Sequence, residues 1–301
     1  MKIGVFDSGF GGLTVLRELL RVVPNATYFY LGDTARLPYG SKSAATVARY
    51  AVSSSKFLLD QGAEFLVIAC NTATALALDE IKHAVSVPVV GVVEPGASAA
   101  AGITRTGNVD VIGTPATVAS HAYAKSLQAK GIEAVEKACP LFVPLVEEGW
   151  IDHPVTEQVA RIYLEELQLF GPLAETERER RADVLLLGCT HYPLLEPLLR
   201  RLLPKEISLV DSAASTAQVV AKELRNLDEQ TREARTPEIK FFATDSVEKF
   251  RKLGERFLGK RIEKVELLAA KVVSPLRSSA GWRVWDSQRS PPSKVRRTAK
   301  A

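Results

Sequence analysis

The chain has 301 residues, enough for two domains of ordinary size with cores of their own. Its 46% apolar and 25% charged residues are those of an ordinary globular protein, and no uncharged apolar run approaches the roughly 20 residues that span a bilayer. The formal charge of +4 is uneven: seven basic residues and one acid lie from Arg277 onward, so residues 1–276 carry −2.

The first residues, Met1-Lys2-Ile3-Gly4-Val5-Phe6-Asp7, go straight into a strand-like run without a charged leader, an apolar segment and a cleavage site. A cytoplasmic location is therefore expected. Strands are expected over 2–6, 27–31, 65–69, 89–93, 109–113, 184–188, 207–210 and 239–243. Helices are expected over 13–23, 43–61, 73–84, 116–130, 154–169, 194–203 and 216–227. Ser43 and Thr114-Pro115 stand where helix-start residues belong. Such alternation predicts α/β architecture, with parallel strands and helices on both sheet faces.

Two segments read alike. Glu64-Phe65-Leu66-Val67-Ile68-Ala69-Cys70-Asn71-Thr72 matches Asp183-Val184-Leu185-Leu186-Leu187-Gly188-Cys189-Thr190-His191 in character at each position. Each is an acid, a branched apolar run suited to a strand buried on both faces, a small residue, then cysteine with polar followers. The likeness points to duplication, each half a doubly wound sheet. One domain is placed at 1–94 plus 211–270 and the other at 95–210. The segment 170–182 is a charge-dense surface excursion without evident chemistry. The basic stretch 276–301, with Ser290-Pro291-Pro292-Ser293, is expected to be a disordered tail. A solvated tail is the favoured reading, and contact with nucleic acid is the alternative.

Candidate chemistry clusters at strand ends. The run Asp7-Ser8-Gly9-Phe10-Gly11-Gly12-Leu13 imitates a dinucleotide loop, with Asp33 about twenty residues on, but is not G-x-G-x-x-G and sets a carboxylate where an anion would sit. Its glycines also have a steric reading. Asp7 makes better sense facing an ammonium group or adjusting a nearby base. The loop Gly32-Asp33-Thr34-Ala35-Arg36-Leu37-Pro38-Tyr39-Gly40 is, taken alone, a structural turn.

A single buried cysteine is usually inert. Two at matched strand ends, each ahead of an expected helix N-terminus, favour reactive thiols, because thiolate is the active form and unpaired N–H groups stabilise it. Asn71-Thr72 and Thr190-His191 add donors suited to a carboxylate, and His191 can act as acid or base or orient a thiol. Cys139, within Ala138-Cys139-Pro140, lacks polar followers and reads as structural. Glu147 stands in an apolar setting, either as support for a base in the site or as a solvated loop carboxylate. Neither a metal spacing nor a G-x-x-x-x-G-K-[ST] loop is present.

Assembled in order, Asp7-Ser8-Gly9-Phe10-Gly11-Gly12-Leu13-Thr14-Val15, Pro38-Tyr39-Gly40, Cys70-Asn71-Thr72-Ala73 and Gly188-Cys189-Thr190-His191-Tyr192-Pro193 resemble the glutamate racemases, within the aspartate/glutamate racemase superfamily. The resemblance covers about residues 1–255. It implies cofactor-independent interconversion of L- and D-glutamate, supplying D-glutamate for peptidoglycan. It further implies two α/β domains related by pseudo-two-fold symmetry with the site between them, and a homodimer. By matching motif it implies proton transfer by Cys70 and Cys189, assisted by Asp7, His191 and Glu147. Substrate contacts would fall on Asp7, Ser8, Tyr39, Gly40, Asn71, Thr72, Thr190 and His191. The alternatives are an aspartate or broad-specificity racemase with a different side-chain pocket, and a non-enzymatic, amino-acid-binding regulatory protein that captures its ligand without exchanging the α-proton.

Overall fold

A computed structural model describes residues 1–169, 181–227 and 237–268. Most of the 170–182 excursion, the end of the 211–270 segment and the whole 276–301 stretch therefore lie outside the described residues.

Two all-parallel sheets organise the chain. The first has the order β10-β9-β2-β1-β3-β4, built from β1 (Lys2–Asp7), β2 (Thr27–Gly32), β3 (Phe65–Ile68), β4 (Val89–Gly91), β9 (Ile239–Ala243) and β10 (Val265–Leu267). The second has the order β6-β5-β7-β8, built from β5 (Asn108–Gly113), β6 (Glu133–Ala138), β7 (Val184–Gly188) and β8 (Ser208–Asp211). The four-strand cores 2-1-3-4 and 6-5-7-8 are the same winding used twice. In each, the chain leaves a central strand to one side and returns to the other, which opens a crevice at the carboxyl ends of β1/β3 and of β5/β7.

Helices cover both faces of each sheet. On the first, α1 (Leu13–Val22) is opposed by α2 (Ala44–Asp60) and α3 (Asn71–Ala84). On the second, α4 (Val93–Ile103) and α6 (Ala122–Gln128) are opposed by α7 (Phe142–Glu148), α8 (Pro154–Glu166) and α9 (Glu196–Leu202), while α5 (Pro115–Ser120) lies against α3 and β6. The chain then returns through α10 (Ser212–Leu227), packed on α1, and α11 (Val247–Leu258). One apolar cluster runs from Val5 and Leu16 of the first half to Leu185 and Tyr192 of the second, so the halves share a core.

The structure departs from the sequence-based expectations at several elements. The strand expected to reach residue 93 stops at Gly91, and an alanine-rich helix with Pro95 in its first turn begins at Val93. The helix expected over 116–130 is broken at His121, which takes a left-handed conformation at φ 54°. The loop expected around Glu147 is α7, closed by Gly149 at φ 85°. The strand β6 was missed because it is a charged edge strand, bearing Glu133, Glu136 and Lys137. The elements α11 and β10 were not expected either. Ser43 precedes α2 without a capping bond from its hydroxyl, whereas Thr114 accepts the Thr117 N–H at 3.2 Å.

Candidate active site

Both crevices open into one cavity of about 380 Å³. The size suits a small ligand. Of the residues expected to act, Ser8, Tyr39, Gly40, Cys70, Asn71, Thr72, Glu147, Cys189, Thr190 and His191 all line it. Asp7 does not, and is buried behind the wall.

The strand register explains the convergence. Phe6 pairs with Ile68, two residues before Ser8 and Cys70, while Gly113 pairs with Gly188, one before Thr114 and Cys189. Each thiol thus leaves its sheet beside a hydroxyl residue of the neighbouring strand. Cys70 caps α3, with its sulfur accepting the Ala73 N–H at 3.4 Å and its thiol lying 3.5 Å from Ser8 Oγ. Cys189 is followed by a 3-10 turn, Tyr192–Leu195, which runs into α9. That corrects the expectation of an α-helix directly behind both cysteines: behind Cys189 the first turn is 3-10, and the α-helix begins only at Glu196.

The glycine run is steric in origin. A Cβ on Gly11 would lie 2.2 Å from Thr190 Oγ1 and 2.6 Å from His191 Nδ1, and one on Gly12 would lie 2.5 Å from Asp7 Cβ. The backbone of the first half therefore rests directly on the Cys189 loop. Thr14 Oγ1 adds a hydrogen bond to the Thr190 carbonyl at 3.2 Å.

Polar contacts fix the walls. Tyr39 donates its hydroxyl to Asp33 Oδ2 at 2.5 Å, and Thr244 donates to Asp33 Oδ1 at 2.9 Å. The Tyr39 hydroxyl is thereby committed away from any ligand, and Asp33 serves as the buried anchor of the loop carrying Gly40. Thr72 Oγ1 lies 2.9 Å from Thr114 Oγ1, across the two halves. Tyr123 donates to Asn71 Oδ1 at 2.6 Å, leaving Asn71 Nδ2 buried without a partner. Asp7 Oδ2 accepts the Gly9 N–H at 2.9 Å, and its Oδ1 is likewise buried and unpaired. Buried polar atoms are rarely left so.

Electrostatics differ between the thiols. Burial pushes the Cys70 thiol up to about 12, and the nearby Asp7 carboxyl adds to the effect. Asp7 itself is raised by burial, against the opposing pull of His191. On the other side His191 Nδ1 lies 4.0 Å from Cys189 Sγ, and Nε2 lies 3.3 Å from Glu147 Oε1. Burial alone would lower the imidazole, but Cys189 and Glu147 outweigh it and raise it to about 10. Glu147 sits below the usual carboxylate range because His191 and Lys249 overcome its burial. Among the described residues no cluster of three metal-ligating side chains occurs, and no helix is long and apolar enough to cross a membrane.

The sequence reading missed Leu37, Pro38, Ser41, Pro140, Val143 and Pro144 in the wall, and used Thr114 only as a helix start. Thr114 was findable as the counterpart of Ser8, at the carboxyl end of the strand beside Cys189. The apolar residues carried no chemical signal.

Two doubly wound sheets thus each present one thiol to a shared cavity. The chain belongs to the Asp/Glu/Hydantoin racemase family, whose sequence model matches residues 3–220, and it is an amino-acid racemase. Its relatives include glutamate racemases. That of Koribacter versatilis (strain Ellin345) is 58% identical over 285 residues, spanning 88% of this chain and 96% of the relative. The solved glutamate racemase from Thermus thermophilus, in complex with beta-chloro-D-alanine, is 44% identical with a TM-score of 0.79, covering 90% of this chain and 98% of that one. That of Francisella tularensis, in complex with D-glutamate, is 35% identical with a TM-score of 0.78, covering 89% and 97%.

Proposed function

We propose that the chain interconverts L- and D-glutamate, without cofactor, by proton transfer between the α-carbon and two thiols on opposite faces of the substrate. The observation that carries this reading is the placing of Cys70 and Cys189 on one cavity, each at the carboxyl end of the equivalent strand of its own sheet. Inverting a stereocentre requires removing the α-proton on one side and delivering one on the other. A single base would have to cross the molecule, whereas two opposed groups need not move.

The resting state follows from the surroundings. Cys70, pushed up to about 12, holds its proton and is the donor. His191, raised to about 10, is an imidazolium at neutral pH and sets a cation 4.0 Å from Cys189, which is the acceptor. The substrate α-proton passes to Cys189 as Cys70 delivers its own to the opposite face; the reverse reaction exchanges the two roles. The carbanionic transition state forms in a largely buried site, where fixed donors act strongly. Asn71 Nδ2, Thr72, Thr190 and the main chain at Tyr39-Gly40 hold the carboxylates, Ser8 and Asp7 attend Cys70 and the amino group, and Glu147 holds His191.

In this reading the product D-glutamate feeds peptidoglycan synthesis in the cytoplasm, and the working form is a homodimer. The units are residues 1–94 with 211–270, and 95–210. The test is solvent deuterium entry at the α-carbon of each glutamate enantiomer, run beside a panel of amino acids followed by circular dichroism. Exchange confined to glutamate supports the reading. Binding without exchange, or faster exchange of aspartate, overturns it.

A further inference from the structure

Glu147 uses both carboxylate oxygens, and they face different halves of the molecule. Oε1 lies 3.3 Å from His191 Nε2, whereas Oε2 lies 3.4 Å from Lys249 Nζ. Glu147 and His191 belong to the layer over the second sheet. Lys249 stands on α11, which the chain reaches only after β9 has joined the first sheet.

The same helix grips that corner twice more. Arg256, two turns further on, donates to the Val146 carbonyl at 3.4 Å and lies over Gly149, where an added Cβ would meet its guanidinium at 2.8 Å. Phe257 sets its ring edge-on to His191, with centroids 5.0 Å apart. The Lys249 ammonium is steadied from the first half by Phe10, 5.6 Å from the ring centroid.

The Lys249 side chain is 53% exposed, and ion pairs in such settings add little to stability. What the contact fixes is the direction of the Glu147 carboxylate. We propose that Lys249 is a positioning residue for Cys189: reaching over from the first half, it holds Glu147 against His191, so the Cys189–His191 pair is fully assembled only while α11 is seated on α7. The proposal rests on the two-thiol reading above. Without Lys249, Glu147 turns toward water, and His191 loses its anchor. The described hydrogen-bond partners of Cys70, Ser8 and Ala73, come from its own half, as does the Asp7 carboxyl beside it, and the other half reaches Cys70 only through the weaker pull of His191 on Asp7.

Iodoacetamide consumes thiolate, so its rate reports each sulfur separately. The full chain is compared in the C70S and C189S backgrounds, with modification assigned by mass spectrometry and folding checked by thermal melting. In C70S, K249M is expected to slow Cys189 modification by about three- to fivefold, the size of an exposed pair's coupling. K249E slows it further, and K249R restores most of the rate. In C189S, none of the three changes Cys70 modification appreciably. An unchanged Cys189 rate in both K249M and K249E, or equal slowing of Cys70, overturns the proposal. Failure of the two-thiol reading shows separately, as racemisation that survives in either C70S or C189S.

Discussion

Cys70 and Cys189 end equivalent strands, β3 and β7, and each has a hydroxyl residue beside it, Ser8 or Thr114. Beyond that the two halves diverge. Cys70 lies near a buried carboxyl, Asp7, and is held by a helix N-terminus and the Ser8 hydroxyl. Cys189 faces an imidazole anchored by a carboxylate, and that carboxylate is held in turn by a lysine from the opposite half. Thr114 Oγ1 turns to Thr72 and Thr117. The repeated winding supplies the geometry, two sulfurs at two matching switch points. The unlike neighbours make the electrostatics unlike: burial and Asp7 raise Cys70, whereas Cys189 stands beside an imidazole raised in part by Glu147.

The comparison breaks most completely if either sulfur is dispensable. Cys70→Ala and Cys189→Ala are each expected to lower kcat by about 10³-fold or more, measured polarimetrically from both enantiomers. His191→Asn is expected to cost about 10²-fold and Asp7→Asn about tenfold. Equal losses would mean that the unlike neighbours do the same work. Gly11→Ala, which drives a methyl into Thr190 and His191, should destabilise the protein by about 1–3 kcal/mol and reduce turnover. Denaturant unfolding checks the first effect.

A pH series sharpens the electrostatic side. The folded-state value of His191, about 10, lies above its ordinary 6.5. Its contribution to stability is therefore complete below about pH 6.5 and is lost as pH rises through about 10. The melting-temperature gap between wild type and His191→Asn should shrink across that window, while a constant gap would contradict the assignment. The smallest effect is expected of Ser8→Ala, about two- to fivefold on kcat, because its contact with sulfur is long at 3.5 Å.

Much of the site was legible because its chemistry sits where strands end. The apolar runs before Cys70 and Cys189 marked buried strands, and the polar residues after them had no packing reason to be there. Glu147 was only half legible. Its helix is seven residues long, starts without a capping side chain and takes its meaning from His191, 44 positions away. Lys249 was invisible, since one lysine on an amphipathic helix looks like any solvated charge until the fold brings α11 against α7. The division of 116–130 at His121 and the charged edge strand β6 were hidden for a related reason: tertiary context overrode local pattern.

The most direct test follows deuterium from solvent into glutamate with one thiol removed. A protein left with a single thiol on the cavity can still withdraw and return a proton on its own face, exchanging one enantiomer with retention and without racemisation. Cys70→Ser and Cys189→Ser are expected to label opposite enantiomers. If both label the same enantiomer, or either still racemises, the sulfurs do not flank the substrate and the account is wrong.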